Sequence, residues 1–296
     1  MNSGVVNRKS TGCLRRLLFH LLVLLVLAGA LWGAAAFILR RHEAELLYHP
    51  LPEIRHTPHE FGLDFQRVEF RSTDNVALSG WWVAAPRPRG TVVFFQDSSG
   101  NMGHVVKWAP WFQKRNLNVF FWDPRGFGQS AGKPSERGFQ RDAEAALDVV
   151  RQMNRRLASP LPVILYGHSL GAALALHAAS VHPDGIAGLV LEAPFSSVDA
   201  LVGLDFPALP VHWFVSQHYD AASMPAVRSS IPKLVGHSPD DERIPYALGV
   251  QFVRHCAPPA RFVPLSGRHD DHAWFLGDSP AAEPLNAFLE EALAAR

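Results

Sequence analysis

Cysteine is scarce in this chain, with two in 296 residues, at positions 13 and 256. So few exclude a disulfide scaffold, and because they flank the longest apolar run, no intramolecular bridge between them is expected. Charge of one sign is missing too: 28 Lys and Arg against 27 Asp and Glu leave a net +1. No basic block stands outside the N-terminal segment, so a nucleic-acid partner is not expected. Internal repeats and low-complexity tracts are absent as well. Charged residues make up 19%, below the roughly 25% usual for soluble domains, so one segment must be unusually apolar.

That segment runs from Leu17 to Leu39, where no Asp, Glu, Lys or Arg occurs. At about 1.5 Å per residue it is long enough to cross a hydrocarbon core of about 30 Å. A cleaved secretory signal and a retained transmembrane helix share the same basic flank, Arg8, Lys9, Arg15 and Arg16. Signal peptides have apolar regions of only about 7–15 residues ending at small residues. Ala28-Gly29-Ala30 and Ala34-Ala35-Ala36 offer such sites, but the run continues through Phe37-Ile38-Leu39 to Arg40-Arg41. The expected organisation is a basic tail (1–16), an uncleaved membrane anchor (17–39), a linker (40–65) and a domain (66–296). Four basic residues before the span against Arg40, Arg41 and the more distant Arg55 after it place the N-terminus in the cytoplasm and the domain outside.

Beyond the anchor, apolar runs of strand length alternate with longer helical patterns. Strands are expected at 67–72, 76–84, 91–96, 117–123, 163–167, 187–192, 233–237 and 261–265. Helices are expected at 104–115, 136–157, 170–182, 245–256 and 281–295. Several strands are apolar throughout, as strands covered on both faces must be. One short turn at Asp74-Asn75 followed by strand-helix repeats describes an α/β fold with a mostly parallel eight-stranded sheet.

The fifth of these strands ends in Gly167-His168-Ser169-Leu170-Gly171. In a G-x-S-x-G elbow the serine sits on a strained turn from strand to helix, and the flanking glycines let neighbouring backbone pass. An alanine-rich helix start follows, which raises the specificity of an otherwise weak pentapeptide. A nucleophilic Ser169 needs a base, and the base an orienting carboxylate. Candidates follow the next strands: Asp240, Asp241 and Glu242 in one loop, Glu192 at the end of the sixth strand, and His269 and His272 in the last loop. His168 is expected to point away from Ser169. His104, His177 and His182 show no spacing that demands a metal.

From about Leu47 onward the chain resembles the α/β-hydrolase superfamily, among its serine-aminopeptidase-like, short-cap, membrane-anchored hydrolases. The resemblance rests on Leu47-Tyr48-His49-Pro50, on the loop Asp123-Pro-Arg-Gly-Phe-Gly-Gln-Ser130, on the elbow and on Ala193-Pro-Phe-Ser-Ser197. It implies a catalytic Ser169, with Asp241 as the acid four residues before Pro245 and His269 as the base between Gly267 and Asp271. It also implies an oxyanion hole from the backbone N–H groups of Ser98 and Leu170. No cofactor and no metal are implied. Asp123, Arg125 and Asp142 resemble positions that order a loop, with a buried ion pair expected there.

One departure stands out, because the family's His-Gly after its third strand is Gln96-Asp97 here. Asp97 is expected to bring negative charge near a developing oxyanion. The cap, at about 198–230, carries Leu201, Val202, Leu204, Phe206, Leu209, Trp213, Phe214 and Val215. An apolar lining of this kind suits a small-molecule acyl substrate, lipids included. The expected activity is serine hydrolysis of an ester or amide, with a peptidase, an acyltransferase or a non-catalytic binding protein of the same fold as alternatives.

Overall fold

The structure is a computed structural model that describes residues 8–157, 159–205, 207, 215–275 and 282–294. Its centre is a sheet of eight strands: β2 (Gln66–Arg71), β3 (Ala77–Val83), β4 (Gly90–Phe95), β6 (Leu117–Asp123), β7 (Val163–His168), β8 (Ile186–Glu192), β9 (Lys233–His237) and β10 (Ala260–Pro264). They lie in the order β10-β9-β8-β7-β4-β6-β3-β2. The pairs β2/β3 and β3/β6 are antiparallel, and the others parallel. The strand pattern expected from sequence is thus realised, with ends displaced by a residue.

Pleating explains why these strands read as continuous apolar runs. Val93 and Phe95 of β4 enter one buried cluster, whereas Val92 and Phe94 enter the other. Phe120 and Trp122 of β6 divide from Val119 and Phe121 in the same way. Alternate side chains point to opposite faces, so a sheet covered on both sides needs apolar residues at every position. Helices α4 (Glu136–Arg155), α5 (Leu170–Val181), α7 (Tyr246–His255) and α8 (Ala282–Ala294) supply the cover. Ser135 starts α4 by accepting a hydrogen bond from Gly138 N at 3.2 Å, with Glu136 in the first turn where the helix dipole favours an anion.

Three segments differ from the sequence-based expectation. The helix expected at 104–115 is broken into α2 (Met102–Val105), a 3-10 turn (Val106–Trp108) and α3 (Ala109–Gln113). Pro110 has no N–H for the carbonyl of Val106, so a continuous helix would lose a bond there. The expected cap begins with α6 (Val198–Asp205), whereas Phe206, Leu209, Trp213 and Phe214 lie outside the described residues. Finally, the apolar run belongs to a longer helix, α1 (Arg8–Leu47). The first part of the expected linker is therefore helical, and α1 is long and apolar enough to cross a membrane from Arg15 onward.

The chain leaves α1 directly into β1 (His49–Pro50), which pairs in parallel with β5 (Ser99–Gly100). This two-stranded ladder joins the end of α1 to the loop that follows β4.

Candidate active site

The elbow takes the strained form its sequence implies. Ser169 has φ 54° and ψ −118°, a region that non-glycine residues occupy only when surrounding structure enforces it. Enforcement comes from both neighbours. Ser169 N donates to Glu192 O on β8 at 2.9 Å, and α5 presses onto the strands so closely that a Cβ at Gly167 would overlap the Gly171 carbonyl, and one at Gly171 the Phe95 carbonyl. Glycine at both positions is what allows the turn.

Behind Ser169, the loops after β9 and β10 meet. His269 Nδ1 lies 2.7 Å from Asp241 Oδ2, and both side chains are almost wholly buried. The other carboxylate oxygen of Asp241 accepts from the backbone N–H groups of Arg243 and Ile244 at 2.9 and 2.8 Å. Burial alone would raise the Asp241 pKa, but the contacts with His237 and His269 outweigh it and hold the carboxyl well below its ordinary value. For His269, burial favours the neutral ring, yet Asp241 outweighs it and raises the imidazole above its usual value. Such an imidazole is pinned in one tautomer, with Nδ1–H toward the carboxylate and Nε2 left as a base.

Ser169 and His269 face one cavity of about 370 Å³, which Ser98 and Leu170 also line. Leu170 is the first residue of α5, and the first N–H groups of a helix have no partner within it. The rival acids and bases separate cleanly. Glu192 serves His272 Nδ1 at 3.0 Å and accepts the hydroxyl of Tyr166, so it is not the partner of His269. Glu242 accepts from the His269 backbone N–H at 3.1 Å, and Asp240 is exposed. His168 turns its Nε2 to the His269 carbonyl at 3.0 Å, and burial pushes its pKa far down. Ligand atoms of His168, Glu192 and His272 lie within 4.8 Å of one another, near enough to hold a metal ion, and Glu192 and His272 already bond to each other.

Asp97 borders a cavity of about 290 Å³ distinct from the one that Ser169 and His269 line, and its negative charge is among the causes that raise the His269 pKa. Its carboxylate accepts from Ser99 Oγ at 2.7 Å and Ser99 N at 3.3 Å, with an Arg243 guanidinium nitrogen 3.7 Å away. It therefore ties down the loop that carries Ser98. The buried ion pair expected in the loop after β6 is present as Arg125 with Asp142, at 2.7 Å, extended to Asp74 at 2.8 Å; Asp123 instead accepts from Met102 N at 2.7 Å and Gln96 Nε2 at 3.0 Å, and burial raises its pKa to about 7.

Some parts of the site gave no sequence signal for their place in it. Leu46 and Leu47, which close the helix that holds the apolar run, and Tyr48 and His49, which follow it, line the cavity of Ser169 and His269. Glu43, one turn earlier, is buried and accepts from the backbone N–H groups of Ser216 and Gln217, at 2.9 and 3.0 Å. A charged residue just beyond Arg40-Arg41 reads as a solvated flank, and its partners lie 173 and 174 residues further on.

Residues 86–231 match the family described as Serine aminopeptidase, S33. The chain is similar to protein bem46 of Schizosaccharomyces pombe, 35% identical over 155 residues, or 51% of each chain. It is also similar to the α/β hydrolase domain-containing protein WAV2 of Arabidopsis thaliana, 32% identical over 195 residues, covering 63% of this chain and 62% of that one. The chain thus spans about half the length of the first relative and under two thirds of the second. Among solved structures, an esterase of Pyrococcus furiosus superposes with a TM-score of 0.64 at 19% identity, over 82% of this chain and 97% of that one; at this identity the likeness concerns the fold. By strand order, elbow and family match, the chain has the α/β-hydrolase fold.

Proposed function

We infer that the protein is a membrane-anchored serine hydrolase that cleaves the acyl bond of an ester or amide. The observation that carries this reading is the strained Ser169 in one cavity with a His269 whose far nitrogen is held by Asp241. Ser169 Oγ attacks the acyl carbonyl while His269 Nε2 takes its proton. The backbone N–H groups of Ser98 and Leu170 receive the charge that develops on the carbonyl oxygen. His269 then gives the proton to the departing alcohol or amine, and an acyl-serine remains. Water, activated by the same imidazole, attacks the acyl-serine and releases the acid.

The apolar lining of the cavity, with Leu170, Phe195, Val198 and Leu201, supports an acyl or aromatic substrate over a charged one. The length and composition of α1 support the anchor, and its flanking charges support a cytoplasmic N-terminus with the catalytic domain outside. Hydrolysis of short-chain p-nitrophenyl esters tests the reading. Ser169→Ala is expected to abolish it and His269→Ala to lower it by roughly 10³-fold or more, because the groups act as a unit. Unchanged turnover in either variant contradicts the assignment.

A further inference from the structure

We propose that the last turn of the anchor helix is a working wall of the acyl pocket, and that the substrate is an ester whose acyl chain resides in the bilayer and reaches Ser169 along that wall. This rests on the serine-hydrolase reading and adds the class of substrate and its route.

The apolar run ends at Leu39, and α1 continues without a break to Leu47. Seven residues from Leu39 to Leu46 advance about 10 Å along the axis, which carries Leu46 to the outer edge of the headgroup layer, roughly 5–8 Å deep on each side of the hydrocarbon core. At that level Leu46 and Leu47 line the cavity that contains Ser169. The cavity of Ser169 is therefore placed at the outer edge of the headgroup layer, where an acyl ester rising from the bilayer reaches it along α1.

The end of α1 is also fixed to the catalytic domain. Four consecutive backbone N–H groups, from Ser216 to Tyr219, are captured by two carboxylates: Glu43 of α1 takes the first two, at 2.9 and 3.0 Å, and Glu136 of α4 the next two, at 2.7 and 2.8 Å. Tyr48 is buried and donates its hydroxyl to Gln217, with the Tyr219 hydroxyl at 2.6 Å. A helix that is clamped in this way cannot swing the pocket away from the membrane.

The rim is apolar where it meets lipid. Leu46 is 64% exposed although it borders the cavity. Across the cavity, Leu201 of α6 lines the wall, and Leu204, three residues on and on the same helix face, is 52% exposed. Apolar side chains left in water at a pocket mouth lose free energy that contact with acyl chains restores. A chain drawn from the bilayer covers both leucines as it enters.

The test uses the full chain reconstituted in phosphatidylcholine vesicles that carry 4-methylumbelliferyl oleate, with dissolved p-nitrophenyl acetate as the comparison. Seven helix-forming residues inserted between Arg40 and Arg41 add two turns, lifting the pocket by about 10 Å while nearly keeping its rotational phase. The expected result is a fall of roughly tenfold or more on the vesicle-borne ester and a change within about twofold on the dissolved one. Leu46→Gln is expected to lose several times more activity on the oleate than on the acetate. Equal oleate rates for wild type and insertion overturn the proposal, and so do equal losses on both esters in Leu46→Gln. A wild type that reacts with a fluorophosphonate at Ser169 yet leaves the oleate intact also overturns it, with the serine-hydrolase reading still standing. A wild type inert to the fluorophosphonate overturns that reading itself, and this inference with it.

Discussion

The backbone N–H of His49 donates to the carbonyl of Ser98 at 2.8 Å, so a residue just beyond α1 holds, through the peptide that follows it, the residue whose own backbone N–H is proposed to bind the oxyanion. The pairing continues with Leu51 N donating to Gly100 O at 2.9 Å. The proposed anchor and the proposed oxyanion donor thus share a two-residue ladder. His49→Pro removes the donor and is expected to lower kcat by about 10–100-fold, as displacement of a preorganised donor does. His49→Ala keeps the bond and is expected to lose less than about tenfold. Equal losses in a steady-state ester assay contradict this role.

The raised pKa of His269 sets the pH profile. Because the base must be neutral, kcat/KM is expected to climb with pH through an inflection above the ordinary imidazole value of about 6.5. Asp241→Asn removes the main cause of that rise, so the inflection should move down while the rate falls by roughly 10³–10⁴-fold. The sign for folding is the reverse: a raised histidine pKa adds stability at low pH that is lost as pH climbs through the folded value. An inflection that stays in place in Asp241→Asn contradicts the pairing.

Arg125 makes a separate prediction, for stability rather than rate. It is buried against Asp142, which has no solvent exposure, and removal of one partner leaves a charge with no compensation. Arg125→Ala is expected to destabilise the fold by about 3–5 kcal/mol. Arg141, a more exposed partner of Asp74 at 2.8 Å, should contribute less than about 1 kcal/mol. Urea unfolding of the two variants compares them directly, and similar midpoints contradict the network's role.

Asp97 offers a test of the loop after β4. Since its carboxylate holds Ser99, Asp97→Gly is expected to lower kcat, by up to about 10²-fold, through misplacement of Ser98. A faster variant would instead mean that its charge opposes the oxyanion.

Much of this architecture is legible in the sequence because the physics is local. A strand covered on both faces is apolar at every position, so β4, β6 and β7 stand out, and the elbow needs glycine on both sides of Ser169 wherever it occurs. The order of serine, acid and base along the chain points to the loops after β9 and β10. Separating Asp241 from Asp240 and Glu242, however, required the family spacing to Pro245. What escapes sequence reading is non-local. The ladder between His49 and Ser99 is two residues long and carries no periodicity, Glu43 gains its meaning only from partners far along the chain, and the direction of Asp97 depends on where Ser99 and Arg243 fold.

The most direct measurement is mass mapping of the full-length protein after reaction with a fluorophosphonate, which modifies only an activated serine. One adduct is expected, on Ser169, that disappears in Ser169→Ala and forms far more slowly in His269→Ala. An unmodified wild type, or an adduct on any other residue, contradicts it.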